Sequence, residues 1–286
     1  MLSRYRVSTA SGRGYPNDGH AQLAPWLEWL GHIGYVAEGA VYLLVGVLAQ
    51  LASFDRSRQP NSYKGALSNL AGGAFGDTFL ILLVVGLTAF VVWQLIMGVL
   101  DPEHRRTRQT IKRRVHRLGH LFNGVFHATW VGEAALPLLG LGSGEDHGRA
   151  QAQWIHWVLA LPPGRWIVAT TGVVIVVFGM YQFYLGISRN KLADVDLTHK
   201  PLRICLGVLG FAGFMARTVL FALIGRYLID AARRYDAHDA TGVAGALGAL
   251  RAQPYGLALL GVVAAGLICY GSFLIFKEPY RTFRAD

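Results

Sequence analysis

The 286-residue chain is poor in charge: Asp, Glu, Lys and Arg together make up 15% of it, against 53% hydrophobic residues. A soluble domain usually carries about 25% charged residues, so this balance argues against a water-soluble enzyme, and the same apolar content excludes a disordered chain. Cysteine is nearly absent. Cys205 and Cys269 are the only two, and both fall inside apolar stretches, where inert core thiols are expected. Catalytic signatures are missing as well. The chain has no Gly-x-x-x-x-Gly-Lys phosphate loop and no His-Glu-x-x-His pair. No histidine follows His238, so the last apolar stretch has no base to offer an intramembrane serine nucleophile. The first 28 residues hold Arg4, Arg6 and Arg13 but no apolar core before a small-residue cleavage site, which argues against a cleaved signal peptide. The expectation is a protein that is not an enzyme.

What the chain does have is long apolar runs. A membrane-spanning helix needs about 20 mostly apolar residues to cross about 30 Å of hydrocarbon, and six stretches qualify. Thr78 to Leu100, Trp166 to Ser188 and Ala252 to Phe276 contain no charged residue. Trp29 to Phe54 carries Glu38, Leu118 to Gly144 carries Glu133, and Ile204 to Ile229 carries Arg217 and Arg226. An all-α polytopic membrane protein with six transmembrane helices is expected.

The basic excess then reads as orientation. Lys and Arg number 27 against 17 Asp and Glu. On one side of the six spans, the tails and the segments 101–117 and 189–203 hold 17 basic residues, and the opposite loops hold 8. Basic loops stay cytoplasmic, which puts both termini inside. Seven of the 17 crowd into one loop: Arg105, Arg106, Arg108, Lys112, Arg113, Arg114 and Arg117. They read as a topology determinant that also touches anionic lipid. A nucleic-acid partner is not expected, because long apolar runs separate the charges.

Internal repetition organises the rest. Gly34-Tyr35-Val36-Ala37-Glu38-Gly39 opens the first span, Gly119-His120-Leu121-Phe122-Asn123-Gly124 follows 85 residues on, and Gly213-Phe214-Met215-Ala216-Arg217-Thr218 follows after 94 more. The even spans match at Phe90-Val91-Val92-Trp93-Gln94, Phe178-Gly179-Met180-Tyr181-Gln182 and Tyr270-Gly271-Ser272-Phe273-Leu274. Three tandem helical hairpins in a pseudo-threefold arrangement are the simplest account. Residues 24–104 form the first unit, 105–190 the basic loop and second unit, and 191–281 the third, between cytoplasmic tails at 1–23 and 282–286. Ionisable groups avoid lipid and here lie on odd spans, so odd helices are expected inside and even helices at the lipid rim. Apolar residues at helical spacing near Leu67, near Trp157 and from Val243 to Leu250 predict short interfacial helices.

The repeated Gly-aromatic-x-x-polar-Gly opening, with Gly65-Ala66-Leu67 echoed by Gly245-Ala246-Leu247 and aromatic-rich even spans, resembles the bacterial membrane proteins of the domain of unknown function 1206. The resemblance runs from about residue 24 to 281. It implies three two-helix units in the bacterial inner membrane and supplies no activity, substrate or cofactor. Unit two departs from the pattern with His120, His127 and a Pro162-Pro163 turn.

The polar position of each opening is Glu38, Asn123 and Arg217. A charge at mid-membrane costs at least about 2.5–3.5 kcal/mol, so each needs a partner. The symmetry predicts a Glu38–Arg217 ion pair with Asn123 as third member. Depth counted along the helices at about 1.5 Å per residue opposes it, at about 15, 9 and 21 Å for the three. His116, His120, Asn123 and His127 share one helix face. His127 stands where the other units have Tyr42 and Phe221, which suggests a satisfied interior histidine. A proton or ion path with Glu133, or haem ligation by His120 or His127 with His32 or His156, are the chemical alternatives. The function expected is that of a non-catalytic structural, regulatory or accessory membrane protein. The alternatives are a small transporter or channel for protons, ions or a small solute, and a haem-binding redox subunit.

Overall fold

The structure is a computed structural model that describes residues 25–54, 74–100, 111–138, 155–188, 192, 200–236 and 242–280. The described residues form long helices without strands: α1 (Pro25–Phe54), α2 (Ala74–Leu100), α3 (Ile111–Leu138), α4 (Gly164–Ile187), α5 (Lys200–Arg234), the short α6 (Val243–Arg251) and α7 (Gly256–Lys277). A 3-10 turn, Glu278–Tyr280, follows α7. Five of the helices, α1, α2, α4, α5 and α7, are long and apolar enough to cross a membrane, the mark of a multi-pass membrane protein. The helix α3 is not among them: its first seven residues include Lys112, Arg113, Arg114 and Arg117, and His116, His120 and His127 dilute the apolar remainder.

The helix ends follow local chemistry. Pro25 opens α1 and Pro201 sits in the first turn of α5, where a missing N–H costs nothing. Arg233 and Arg234 close α5 at the negative end of its dipole. The starts of α4 and α7 are built alike. Pro162-Pro163-Gly164 and Pro254-Tyr255-Gly256 both place a Pro-x-Gly turn before the helix. The Gly164 N–H donates to Leu161 O at 2.9 Å and the Gly256 N–H to Gln253 O at 2.8 Å. A Cβ at Gly164 would stand 1.7 Å from Val158 O, and one at Gly256 would stand 1.9 Å from Arg251 O, so only glycine fits either turn. The proline turn of unit two is therefore shared with unit three rather than peculiar to it. Of the three short helices expected in the outer loops, Val243–Arg251 is present as α6 and residues 155–159 form a helical turn, while the segment around Leu67 lies outside the described residues.

Neighbouring helices pack in the order α4, α5, α7, α1, α2, α3, and Phe122 of α3 meets Phe178 of α4 with ring centroids 4.2 Å apart. Glycine sets the spacing. Gly172 and Gly225 join α4 to α5, Gly213 lies against the Tyr270 backbone, Gly39 faces Gly271 between α1 and α7, and Gly34 lies against the Phe90 backbone between α1 and α2. Small residues allow this close approach where the hydrophobic effect between helices is absent.

The expected division into interior odd helices and outer even helices is not kept. α7 buries Leu260, Ala264, Leu267 and Tyr270, and α2 buries Leu87, Phe90 and Trp93, while the odd helix α1 exposes Trp29, Val36, Val47 and Phe54. Two buried glutamines, Gln94 and Gln182, stand on even helices. Even and odd helices alike bury one stripe and expose another.

Candidate functional site

The polar positions of the three repeat openings meet in the middle of the bundle. Arg217 Nη1 lies 3.5 Å from Glu38 Oε1, and Arg217 Nη2 donates to Asn123 Oδ1 at 3.2 Å. Counting depth along each chain segment misjudged this meeting. Arg217 comes 17 residues after the start of α5, Glu38 13 after the start of α1 and Asn123 12 after the start of α3. The helices begin at different heights, and α5, at 35 residues, is the longest of them.

Arg217 is 2% exposed and Glu38 is fully buried. The guanidinium is enclosed by aromatic faces: its Cζ lies 4.5 Å from the Tyr270 ring centroid, 5.0 Å from that of Tyr42 and 5.3 Å from that of Phe221. Such faces attract a cation, more strongly when it is desolvated. Tyr270 also accepts a hydrogen bond from Arg217 Nη1 through its hydroxyl oxygen. Tyr42 and Tyr270 pack edge to face with centroids 4.8 Å apart. Four helices, α1, α3, α5 and α7, thus converge on one side chain.

His127 completes the cluster and is fully buried. Its Nδ1 donates to the Asn123 backbone carbonyl at 2.8 Å, and its Nε2 stands 3.3 Å from Glu38 Oε1. Rings surround it: the centroid of Phe90 lies 4.9 Å away, that of Trp130 5.1 Å and that of Phe126 5.4 Å. Among the described residues, Glu38 Oε2 and Arg217 Nε have no hydrogen-bond partner.

The remaining candidates lie elsewhere. Glu133 is on α3, but its side chain is outside the described residues. Of the basic loop, Arg105, Arg106 and Arg108 and the side chain of Lys112 also lie outside them. Arg113, Arg114 and Arg117 stand in the first two turns of α3. Arg117 reaches across to α2, donating from Nε to Gly98 O at 2.9 Å and from Nη2 to Val99 O at 2.8 Å. Those are carbonyls of the last helical turn, which lack intrahelical donors.

The candidate haem ligands are engaged separately. His120 pairs through Nδ1 with Gln94 Oε1, His32 Nδ1 lies 2.9 Å from Glu278 Oε1, and His156 is exposed on the 155–159 turn. Among the described residues, no three His, Cys, Asp or Glu side chains form a group that could hold a metal ion. The roles of Tyr42, Tyr270 and Gln94 are additions of the structure. Their signal was in the repeats: Tyr270 and Phe90 hold the same place in the even spans, and Tyr42, His127 and Phe221 hold the ninth place of each opening.

Comparison with known proteins adds a family. The model of a domain of unknown function, DUF1206, matches residues 33–101, 118–189 and 212–277. The chain is 33% identical over 263 residues to the uncharacterized protein YxxB of Bacillus subtilis (strain 168), an alignment covering 91% of this chain and 93% of the relative. No solved structure matches.

Proposed function

The chain belongs to the family of the domain of unknown function 1206, and we propose that it is a non-catalytic structural, regulatory or accessory protein of the bacterial inner membrane whose buried polar cluster fixes the arrangement of its helices. It spans the membrane six times as three tandem hairpins with both termini cytoplasmic. The three family matches, each covering two long helices, support the hairpin reading. For α3 as the sixth span, the support is its placement. It packs on α2, and Asn123 and His127 lie level with Glu38 and Arg217 of two apolar spans. The residues from 118 to 138 reach about 31 Å at 1.5 Å per residue, enough for the hydrocarbon. In this orientation the segment from Arg105 to Arg117 faces the cytoplasm and meets anionic lipid headgroups. No cofactor and no nucleic acid enters this reading.

One observation carries the structural role: three aromatic rings, Tyr42, Phe221 and Tyr270, cover the guanidinium of Arg217 while Glu38, Asn123 and the Tyr270 hydroxyl engage its two terminal nitrogens. A translocated ion or solute would have to displace those rings to reach the charge. The contacts that Arg217 does make tie α1, α3, α5 and α7 together. A second reading, a small transporter or channel, is favoured by the unpartnered Glu38 Oε2 and Arg217 Nε, which leave one acceptor and one donor for a passing solute. Purified protein in proteoliposomes separates the two. The structural role predicts no proton or ion flux above protein-free vesicles under an imposed gradient, and flux that disappears in Glu38→Gln would overturn it in favour of transport.

A further inference from the structure

We propose that Glu38 and His127 form a proton-binding site in the interior of the bundle, in which one proton is held between the carboxylate and the imidazole. This goes beyond the reading above, and it holds for a structural protein and for a transporter alike, because it concerns occupancy at equilibrium.

The argument starts from the acceptor on the far side of the ring. The backbone carbonyl of Asn123 can only accept, so the 2.8 Å contact requires the hydrogen on Nδ1 of His127. In a neutral imidazole that leaves a lone pair on Nε2. This lone pair faces Glu38 Oε1 at 3.3 Å, and an ionised carboxylate is also purely an acceptor. Both groups are fully buried, so water does not separate the two lone pairs. Among the described residues, Nε2 has no hydrogen-bond donor to replace it. A single proton turns this contact between two acceptors into a charge-assisted hydrogen bond. It belongs to the pair, as imidazolium with carboxylate or as imidazole with carboxylic acid.

The neighbours oppose that proton. Glu38 and Tyr42 face the site from α1, Arg217 from α5 and Tyr270 from α7, while α2 presents Phe90, which does not ionise. Without the proton, Glu38 and Arg217 cancel and His127 is neutral. With it, the cluster carries one positive charge. Hydrogen bonding therefore favours occupancy and the guanidinium disfavours it, so occupancy responds to the surroundings. The same helix face carries two further histidines nearer the start of α3. His116 is exposed, its ring centroid lies 4.6 Å from that of His120, and His120 pairs with Gln94.

The test uses full-length protein in lipid nanodiscs, with isotope-labelled histidine, followed by nitrogen NMR and infrared spectroscopy from about pH 5 to 8, the range in which histidine ordinarily titrates. His127→Phe assigns the signal. It places an aromatic where the other units have Tyr42 and Phe221, so the variant should fold. The proposal expects the signal missing from His127→Phe to gain one proton on acidification. That gain appears as two protonated ring nitrogens, or as a carboxylic C=O band that is also lost in His127→Phe. In Glu38→Gln the side-chain amide can donate to Nε2, so the ring should stay neutral throughout. A His127 ring that remains neutral, with no carboxylic band, over the whole range in the unmodified protein would overturn the proposal even if Glu38→Gln failed to fold.

Discussion

Gly172 and Gly225 meet backbone to backbone: a Cβ on Gly172 would lie 2.7 Å from Gly225 O, and one on Gly225 would lie 2.6 Å from Gly172 O. Real Cβ atoms do not approach this closely, and neither backbone can give way without shifting its helix. Gly225→Ala is therefore expected to force α4 and α5 apart and to cost about 1–3 kcal/mol, the usual cost of overpacking. Gly207, on the same α5, has nothing within 4 Å of a built Cβ. There Gly207→Ala should be neutral or gain about 0.5–1 kcal/mol from helix propensity. Thermal unfolding of the two variants in detergent micelles checks the contrast, and equal losses in both would remove glycine packing as the explanation.

The Glu38–Arg217 pair predicts a non-additive response. Removing one partner of a buried ion pair leaves an uncompensated charge and costs about 3–5 kcal/mol, whereas removing both can cost far less. Glu38→Gln and Arg217→Met should each destabilise strongly, and the double variant should be more stable than either. A double-mutant cycle on unfolding in micelles measures the coupling. Additive losses would mean that Arg217 is held by its aromatic walls and Asn123 alone.

That pairing marks how far the sequence could be read. The repeat offsets align positions 38, 123 and 217, and the desolvation cost of each charge argues that they should meet. The partners of those residues were harder to see. Tyr42 and Tyr270 read as ordinary aromatics of a membrane helix, because a ring that stacks on a guanidinium has the same composition as one that faces lipid. His127 was placed in the interior by its alignment with Tyr42 and Phe221, yet nothing in the sequence directs its Nε2 to Glu38. The rim assignment failed for a geometric reason. Charge-free composition says that a helix tolerates lipid, not that it lies there, and α7, with no charge from Gly256 to Phe276, is buried along a full stripe by α1 and α5.

Arg117 offers a test at the other end of α3. Its two hydrogen bonds to Gly98 O and Val99 O tie the start of α3 to the end of α2, and a charged donor there also suits the negative end of the α2 dipole. Because one of the two bonds is exposed, the expected loss for Arg117→Ala is modest, about 0.5–1.5 kcal/mol. The exposed Arg114, three residues earlier, should tolerate alanine within about 0.5 kcal/mol. Limited proteolysis of the segment between α2 and α3 gives a second reading, with faster cleavage expected only in Arg117→Ala.

Tyr42 and Tyr270 make different predictions although both rings lie against Arg217. Tyr270 adds a hydrogen bond from the guanidinium to its hydroxyl, while for Tyr42 the contact with Arg217 is through the ring face. Tyr270→Phe keeps the ring and removes the acceptor, leaving Arg217 Nη1 with only the 3.5 Å contact to Glu38. Hydrogen bonds to charged groups contribute about 1.5–3 kcal/mol, so a loss of that order is expected. Tyr42→Phe keeps a face that still attracts the cation, and its cost should be smaller. If the order is reversed, the cation is held chiefly from the α1 side and the hydroxyl of Tyr270 contributes little. In a Glu38→Gln background the Tyr270→Phe penalty should grow, since the hydroxyl is then the main acceptor left on Nη1, and measuring the four proteins together tests whether Glu38 and Tyr270 share the same donor.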